Sequence, residues 1–198
     1  MAVTSRREAN AEATRTALLS VARRHFARTG YAPAEVGRIA AEVGVTTGAV
    51  YHHFGSKKGL FQAVAEQIEG EILSAAATAA PDGADPWQRL RVGFDRLVDV
   101  CAAVDVQRII FVEAPQVIGP EAWRAVELRY AYGATRAALE ALMAAGLLRP
   151  CPIDLVARAL LALLGEAAAE VARAPGDAAV RAQVAEMVAA MLDALLAR

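Results

Sequence analysis

Residues 36–58 read Val-Gly-Arg-Ile-Ala-Ala-Glu-Val-Gly-Val-Thr-Thr-Gly-Ala-Val-Tyr-His-His-Phe-Gly-Ser-Lys-Lys, two short helical patterns that meet at a glycine and end at a basic pair. Val36, Ile39, Ala40 and Val43 fall at i, i+3, i+4 and i+7, one apolar face of a two-turn helix. Gly44 stops it, because glycine takes the left-handed backbone needed just past a helix end. Thr46 follows as the N-cap of a second helix that carries Val50 and Phe54 four residues apart. The spacing predicts a helix-turn-helix. The small Ala40 lets the second helix pack close, and Thr47, Ala49, Tyr51, His52 and His53 share its remaining faces.

Composition agrees with a partner that is a polyanion. The chain of 198 residues is 56% hydrophobic, enough for a packed core, and its formal net charge of −1 hides an asymmetry. Residues 1–60 hold nine Lys+Arg against four Asp+Glu, and the remainder holds 12 against 18. A basic front and an acidic back argue for nucleic acid at one end and against a membrane-surface protein. Cys101 and Cys151 stand fifty residues apart with no C-x-x-C spacing, which indicates neither a disulfide scaffold nor a zinc site and fits a reducing, cytoplasmic setting. The first residues lack the apolar region of a signal peptide, and no uncharged run reaches the roughly 18 residues of a membrane span.

Prolines at 33, 81, 86, 115, 120, 150, 152 and 175 divide a pattern that is helical throughout. Leu18, Leu19, Ala22 and Phe26 stripe a first helix ending near Gly30, preceded by an arm with Arg6, Arg7 and Arg15. A long fourth helix runs from about Lys57 to Ala79, a fifth follows Pro86, a short sixth with Ile109 and Ile110 ends before Pro115, and a seventh closes at Gly146. The eighth, Ile153 to Val171, is apolar nearly all round and must be covered on every side, either by its own chain or in a four-helix interface with a second copy. A helix-turn-helix that reads few bases needs a second half-site, which favours the second copy.

Thr16 to Val64 resembles the DNA-binding domain of the TetR/AcrR family of bacterial transcriptional regulators. The likeness is carried by Gly30-Tyr31, Ile39-Ala40, Gly44-Val45-Thr46, Ser56-Lys57-Lys58-Gly59-Leu60 and the frame Gly48, Tyr51, Phe54, Lys57. The resemblance implies an all-α protein of about nine helices. An N-terminal three-helix helix-turn-helix domain, 1–60, precedes a larger C-terminal regulatory, ligand-binding and dimerisation domain, 61–198. It also implies a homodimer through about 153–173 and 177–196, and a pocket whose occupancy alters affinity for a double-stranded DNA operator. No cofactor or metal is implied, and the pocket would draw on Phe61, Ile68, Phe94, Val98, Cys101, Phe111, Trp123, Arg124 and Tyr130. Such a cavity suits a small, mostly apolar effector. Two departures weaken the DNA site: Ala34 and Glu35 stand where the family has hydroxyl residues, and Thr47 and Ala49 where it has lysine and threonine.

The second helix of such a motif enters the major groove N-terminus first, so Thr46, Thr47, Gly48, Ala49 and Tyr51 are the natural probes of base edges. The Tyr51 and His53 side chains are best placed for the phosphates flanking the groove, and Arg38 and His52 are further DNA-binding candidates. Lys57 and Lys58, the chain's only lysines, open the fourth helix after Ser56, where a cation opposes the helix dipole unless a phosphate joins it. They read as a phosphate clamp. Glu113 and Glu166 are candidate buried acids, each more simply read as partly solvated or paired with arginine. All three histidines lie in the first 53 residues, which leaves none in the C-terminal part for a histidine triad. Three functions compete: a ligand-responsive dimeric repressor; a helix-turn-helix module for DNA or protein with a filled C-terminal core and no effector; and a helical enzyme or carrier, for which no polar constellation is present.

Overall fold

Leu18, Ala22 and Phe26 are fully buried along one side of α1 (Ala2–Thr29), where they meet Ile39 and Ala40 of α2 (Val36–Val43) and Val50 of α3 (Thr47–Phe54). Leu60, Phe61 and Val64, from the first two turns of α4 (Lys57–Ala77), complete this core. Burying one such side chain contributes about 1.5–3 kcal/mol. The computed structural model describes residues 2–197, with side chains from Glu8 onward.

The stretch expected to be an arm is the beginning of α1. No glycine or proline stands between Met1 and Gly30, and the alanines and glutamates of 8–13 carry the helix past the core with their side chains exposed. Arg15 belongs to this helix, and the side chains of Arg6 and Arg7 lie outside the described residues. The turn at Gly44 is as expected. Its φ is +79°, its N–H donates to Ala41, and the N–H of Val45 reaches back to Ala40, which satisfies the last carbonyls of α2.

Beyond α4 come α5 (Pro86–Cys101), α6 (104–118), α7 (120–144), α8 (Ile153–Arg173) and α9 (Ala178–Asp193), so the described residues form nine helices. Asp85 and Asp177 cap α5 and α9 by accepting backbone N–H groups of their first turns. The α5 helix lies between α4 and α8, with α9 against the α5–α8 pair. Arg181 of α9 ties back to Asp95 at 2.7 Å and to Asp99.

Helix α6 does not end before Pro115. Its middle, Gln107–Glu113, is π-helical, and the N–H of Ala114 donates five residues back to Ile109, after which Ala114–Ile118 resumes the α form. Proline lacks an N–H and crowds the carbonyl four residues before it, so the wide turn removes the conflict that would have stopped the helix. A second π segment, Leu128–Tyr132, interrupts α7.

Helix α8 is not covered on all sides by its own chain. Ala157, Leu160, Leu164, Ala167 and Ala168 are buried, whereas Leu155 is 58% exposed. On α9, Met187 and Met191 are 45% and 51% exposed.

Candidate nucleic-acid interface and the cavity behind it

Helix α3 projects a small, weakly polar face. Thr46 is its N-cap: the hydroxyl accepts the N–H of Ala49 at 3.2 Å. Thr47, Gly48, Tyr51 and His52 are exposed, and Ala49 and His53 are half-buried. The His53 ring stands 6.0 Å from that of Phe54, over which the Arg15 guanidinium sits at 5.3 Å. Arg38 is exposed but spends its charge on Glu35, 3.2 Å away. Glu35 precedes α2 without a side-chain capping bond, as the missing hydroxyl predicts.

The start of α4 is held by Ser56, whose hydroxyl accepts the N–H of Gly59 at 2.9 Å. Gly59 has a reason that sequence reasoning missed. A Cβ there would come within 2.0 Å of the Phe54 carbonyl oxygen, so only glycine lets α4 start this close to the end of α3. The two lysines part company here. Lys58 is exposed, but the Lys57 ammonium donates to the Ala32 carbonyl at 2.9 Å and lies 4.7 Å above the Tyr31 ring. Lys57 therefore serves first as an internal brace, which leaves Lys58 as the exposed lysine of the pair.

Tyr31 is a junction. Its ring stacks edge-on against Phe61 at 5.2 Å, and its N–H donates to both carboxylate oxygens of Glu113, at 2.9 and 3.0 Å. Arg108 donates to the carbonyls of Ala27 and Arg28, at 2.7 and 2.8 Å, and so satisfies the C-terminal end of α1. Both residues come from the π segment of α6. Glu113, expected to be partly solvated or arginine-paired, is half-buried and is paired with a backbone N–H rather than with an arginine.

The opposite side of that segment faces a cavity. A half-open space of about 680 Å³ is bounded by α4, α6, α7 and α8, with Gln107, Ile110, Phe111 and Pro115 contributed by α6. A neighbouring chamber of about 470 Å³, between α4, α5 and α7, is lined mostly by alanine, leucine and isoleucine; Glu69, Ile72, Leu161 and Leu164 lie on the wall of both. Of the residues expected here, Cys101, Phe111, Trp123 and Arg124 line the larger space and Phe94 the smaller. Phe61, Ile68, Val98 and Tyr130 line neither. Phe61 belongs to the aromatic cluster with Phe26 and Tyr31, Ile68 and Val98 are fully packed, and Tyr130 lies against the core. A fraction of a turn of helix rotation separates a lining side chain from a packed one, and periodicity does not resolve it.

Sequence reasoning also missed the cavity's carboxylate. Glu69, on the buried stripe of α4, is 5% exposed, and its carboxyl is pushed up to about 7 by burial and then by the nearby Glu127. Glu127 is itself raised by burial, against the opposing pull of Trp123 and Arg124. The Cys101 thiol is driven up to about 12, by burial first and by Glu69 second, and so is an inert lining group rather than a nucleophile.

An exposed α3 after a tight turn, one free cation at the next helix start, and a helical half that encloses a cavity make up a DNA-binding transcriptional regulator. The comparisons agree. Residues 18–64 match the model of the bacterial regulatory proteins of the tetR family, and residues 87–195 match that of the tetracyclin repressor-like C-terminal domain. The chain belongs to the TetR family. It is similar to a helix-turn-helix-type transcriptional repressor of Mycobacterium tuberculosis, 36% identical over 96 residues that cover 42% of this chain and 50% of that one. It is also similar to the transposon Tn10 TetC protein of Escherichia coli, 28% identical over 68% of each chain. Among solved structures, a TetR-family transcriptional regulator from Pectobacterium atrosepticum superposes with a TM-score of 0.74 at 29% identity, over 96% of this chain and 97% of that one. Among the described residues no helix is long and apolar enough to cross a membrane.

Proposed function

We propose that this protein is a repressor that binds a palindromic operator as a homodimer and is released when a small molecule fills the C-terminal cavity. The observation that carries the reading is the double role of the α6 π segment: Gln107, Ile110 and Phe111 line the cavity, while Arg108 and Glu113 hold the end of α1 and Tyr31. A ligand that displaces the segment on one side moves the base of the helix-turn-helix on the other. By linkage, a molecule that prefers the wrong spacing of the two recognition helices weakens operator binding by the same coupling that DNA exerts on it. Within this reading Thr47, Gly48, Ala49 and Tyr51 meet the major groove. His52, His53, Arg38 and Lys58 meet phosphates, and residues 1–60 and 61–198 are the two functional parts.

The dimer is supported by apolar side chains that one chain leaves uncovered: Leu155 on α8, and Met187 and Met191 on α9. The open cavity weighs against a module without an effector, whose C-terminal core would be filled.

Selection of bound duplexes from a random pool by the purified protein tests the DNA half of the reading. The expected result is an inverted repeat with half-sites centred about 34 Å apart, or a multiple of that. Recovery of sequences with no repeat, or of no enriched sequence, would overturn it.

A further inference from the structure

The cavity is apolar over most of its wall, yet that wall carries an acid that no protein hydrogen bond holds among the described residues. Glu69 is 95% withdrawn from solvent, lies on the wall shared by both chambers, and receives no hydrogen bond among the described residues. Among those residues no buried side-chain oxygen is left without a partner, so the Glu69 oxygens open onto the cavity, where a donor or a positive charge can meet them. Glu127, exposed at the larger chamber, is a second carboxylate near the first. Around them stand side chains that suit an organic cation: the aromatic Trp123 and Phe111, and the aliphatic Ile72 and Leu161.

Arg124 and Arg158 also line the larger cavity, but both are exposed, and Glu127 and Glu166 stand beside them there. An anion drawn to those arginines would put its apolar body against Glu69 and leave the buried carboxyl unmet. A cation resolves the conflict. We propose, as a refinement of the ligand-responsive reading on which it rests, that the cavity takes an amphipathic organic cation. This is a protonated amine or a similar nitrogen base on an apolar body, with its positive end at Glu69 and its body across the two chambers. Burial and Glu127 push the Glu69 carboxyl up to about 7, so in the empty cavity it holds a proton part of the time, and a cation beside it favours the ionised form, the proton leaving to solvent.

Three probes of one length separate charge from hydrophobicity: 4-phenylbutylamine, 4-phenylbutan-1-ol and 4-phenylbutyrate, titrated calorimetrically into the full chain at pH 7.5. The amine is expected to bind at least about tenfold more tightly than the alcohol, and the butyrate more weakly than either, as a charged hydrogen bond in a buried site requires. In Glu69→Gln the amine should fall to the affinity of the alcohol, with the alcohol unchanged. Equal binding of amine and alcohol, a butyrate that binds best, or a preference that survives Glu69→Gln would each overturn the assignment and leave the ligand cavity standing. Failure of all three probes to bind would overturn the cavity itself as a ligand site. If Glu69→Gln does not fold, the ranking on the unmodified protein decides alone.

Discussion

Lys57 and Lys58 are adjacent and chemically alike, but one faces Tyr31 and Ala32 while the other faces water. Lys58→Ala is expected to weaken binding to duplexes of any sequence and to flatten the dependence of affinity on salt by roughly one unit of slope. Lys57→Ala should act mainly on stability, lowering it by about 1 kcal/mol through the lost carbonyl bond and ring contact. Filter binding over a salt series together with denaturant melts separates the two, and a full loss of slope in Lys57→Ala would reverse the roles. Glu69 makes a second prediction. Its carboxyl lies near 7 in the folded chain against an ordinary 4.5, so the folded state holds the proton more tightly. The associated stability is complete below about pH 4.5 and is lost as pH rises through 7, by on the order of 3 kcal/mol if the unfolded value is ordinary. Glu69→Gln, which has no proton to lose, should show a smaller fall in melting stability between pH 5 and pH 8; an identical fall in both proteins would refute the burial argument.

At the scale of elements, α6 is the part least like its sequence. Pro115 reads as a stop, and the π turn before it turns the stop into a continuation that brings Arg108 and Glu113 to one side and Phe111 to the other. The fourth helix spans both halves, since Phe61 packs with Phe26 and Tyr31 while Glu69 reaches the cavity. The α6 segment is a second link. Glu113→Ala is expected to destabilise the chain by about 1–3 kcal/mol, the worth of hydrogen bonds to a charged group, and to speed hydrogen exchange at the Tyr31 amide relative to amides in α9. Unchanged protection of that amide would remove Glu113 from the coupling.

For the whole molecule, the question is what covers the outer faces of α8 and α9. Met187→Asp with Met191→Asp changes two exposed positions that make no contact needed by the single chain's core, so the variant should remain helical. It is expected to sediment as a monomer and to lose nearly all affinity for a two-half-site duplex, while binding single half-sites as before. A variant that stays dimeric places the interface elsewhere.

What the sequence determined is local. The stop at Gly44, the caps Thr46 and Ser56, the first core stripe and the family frame all rest on groups a few residues apart, whose geometry is set by the backbone of one turn. The nine helices followed, since proline and glycine punctuate them in place, except where a π turn absorbed Pro115. The tertiary structure decided the rest. Glu113 and Tyr31 are 82 positions apart, Lys57 and Ala32 are 25 apart, and the direction of Glu69 depends on how α4 is rotated against α5, α7 and α8. Periodicity assigns a residue to the buried side of a helix. Whether that side meets packed carbon, a backbone N–H or an empty cavity is fixed by the summed packing of every neighbour, which no single stretch of chain contains.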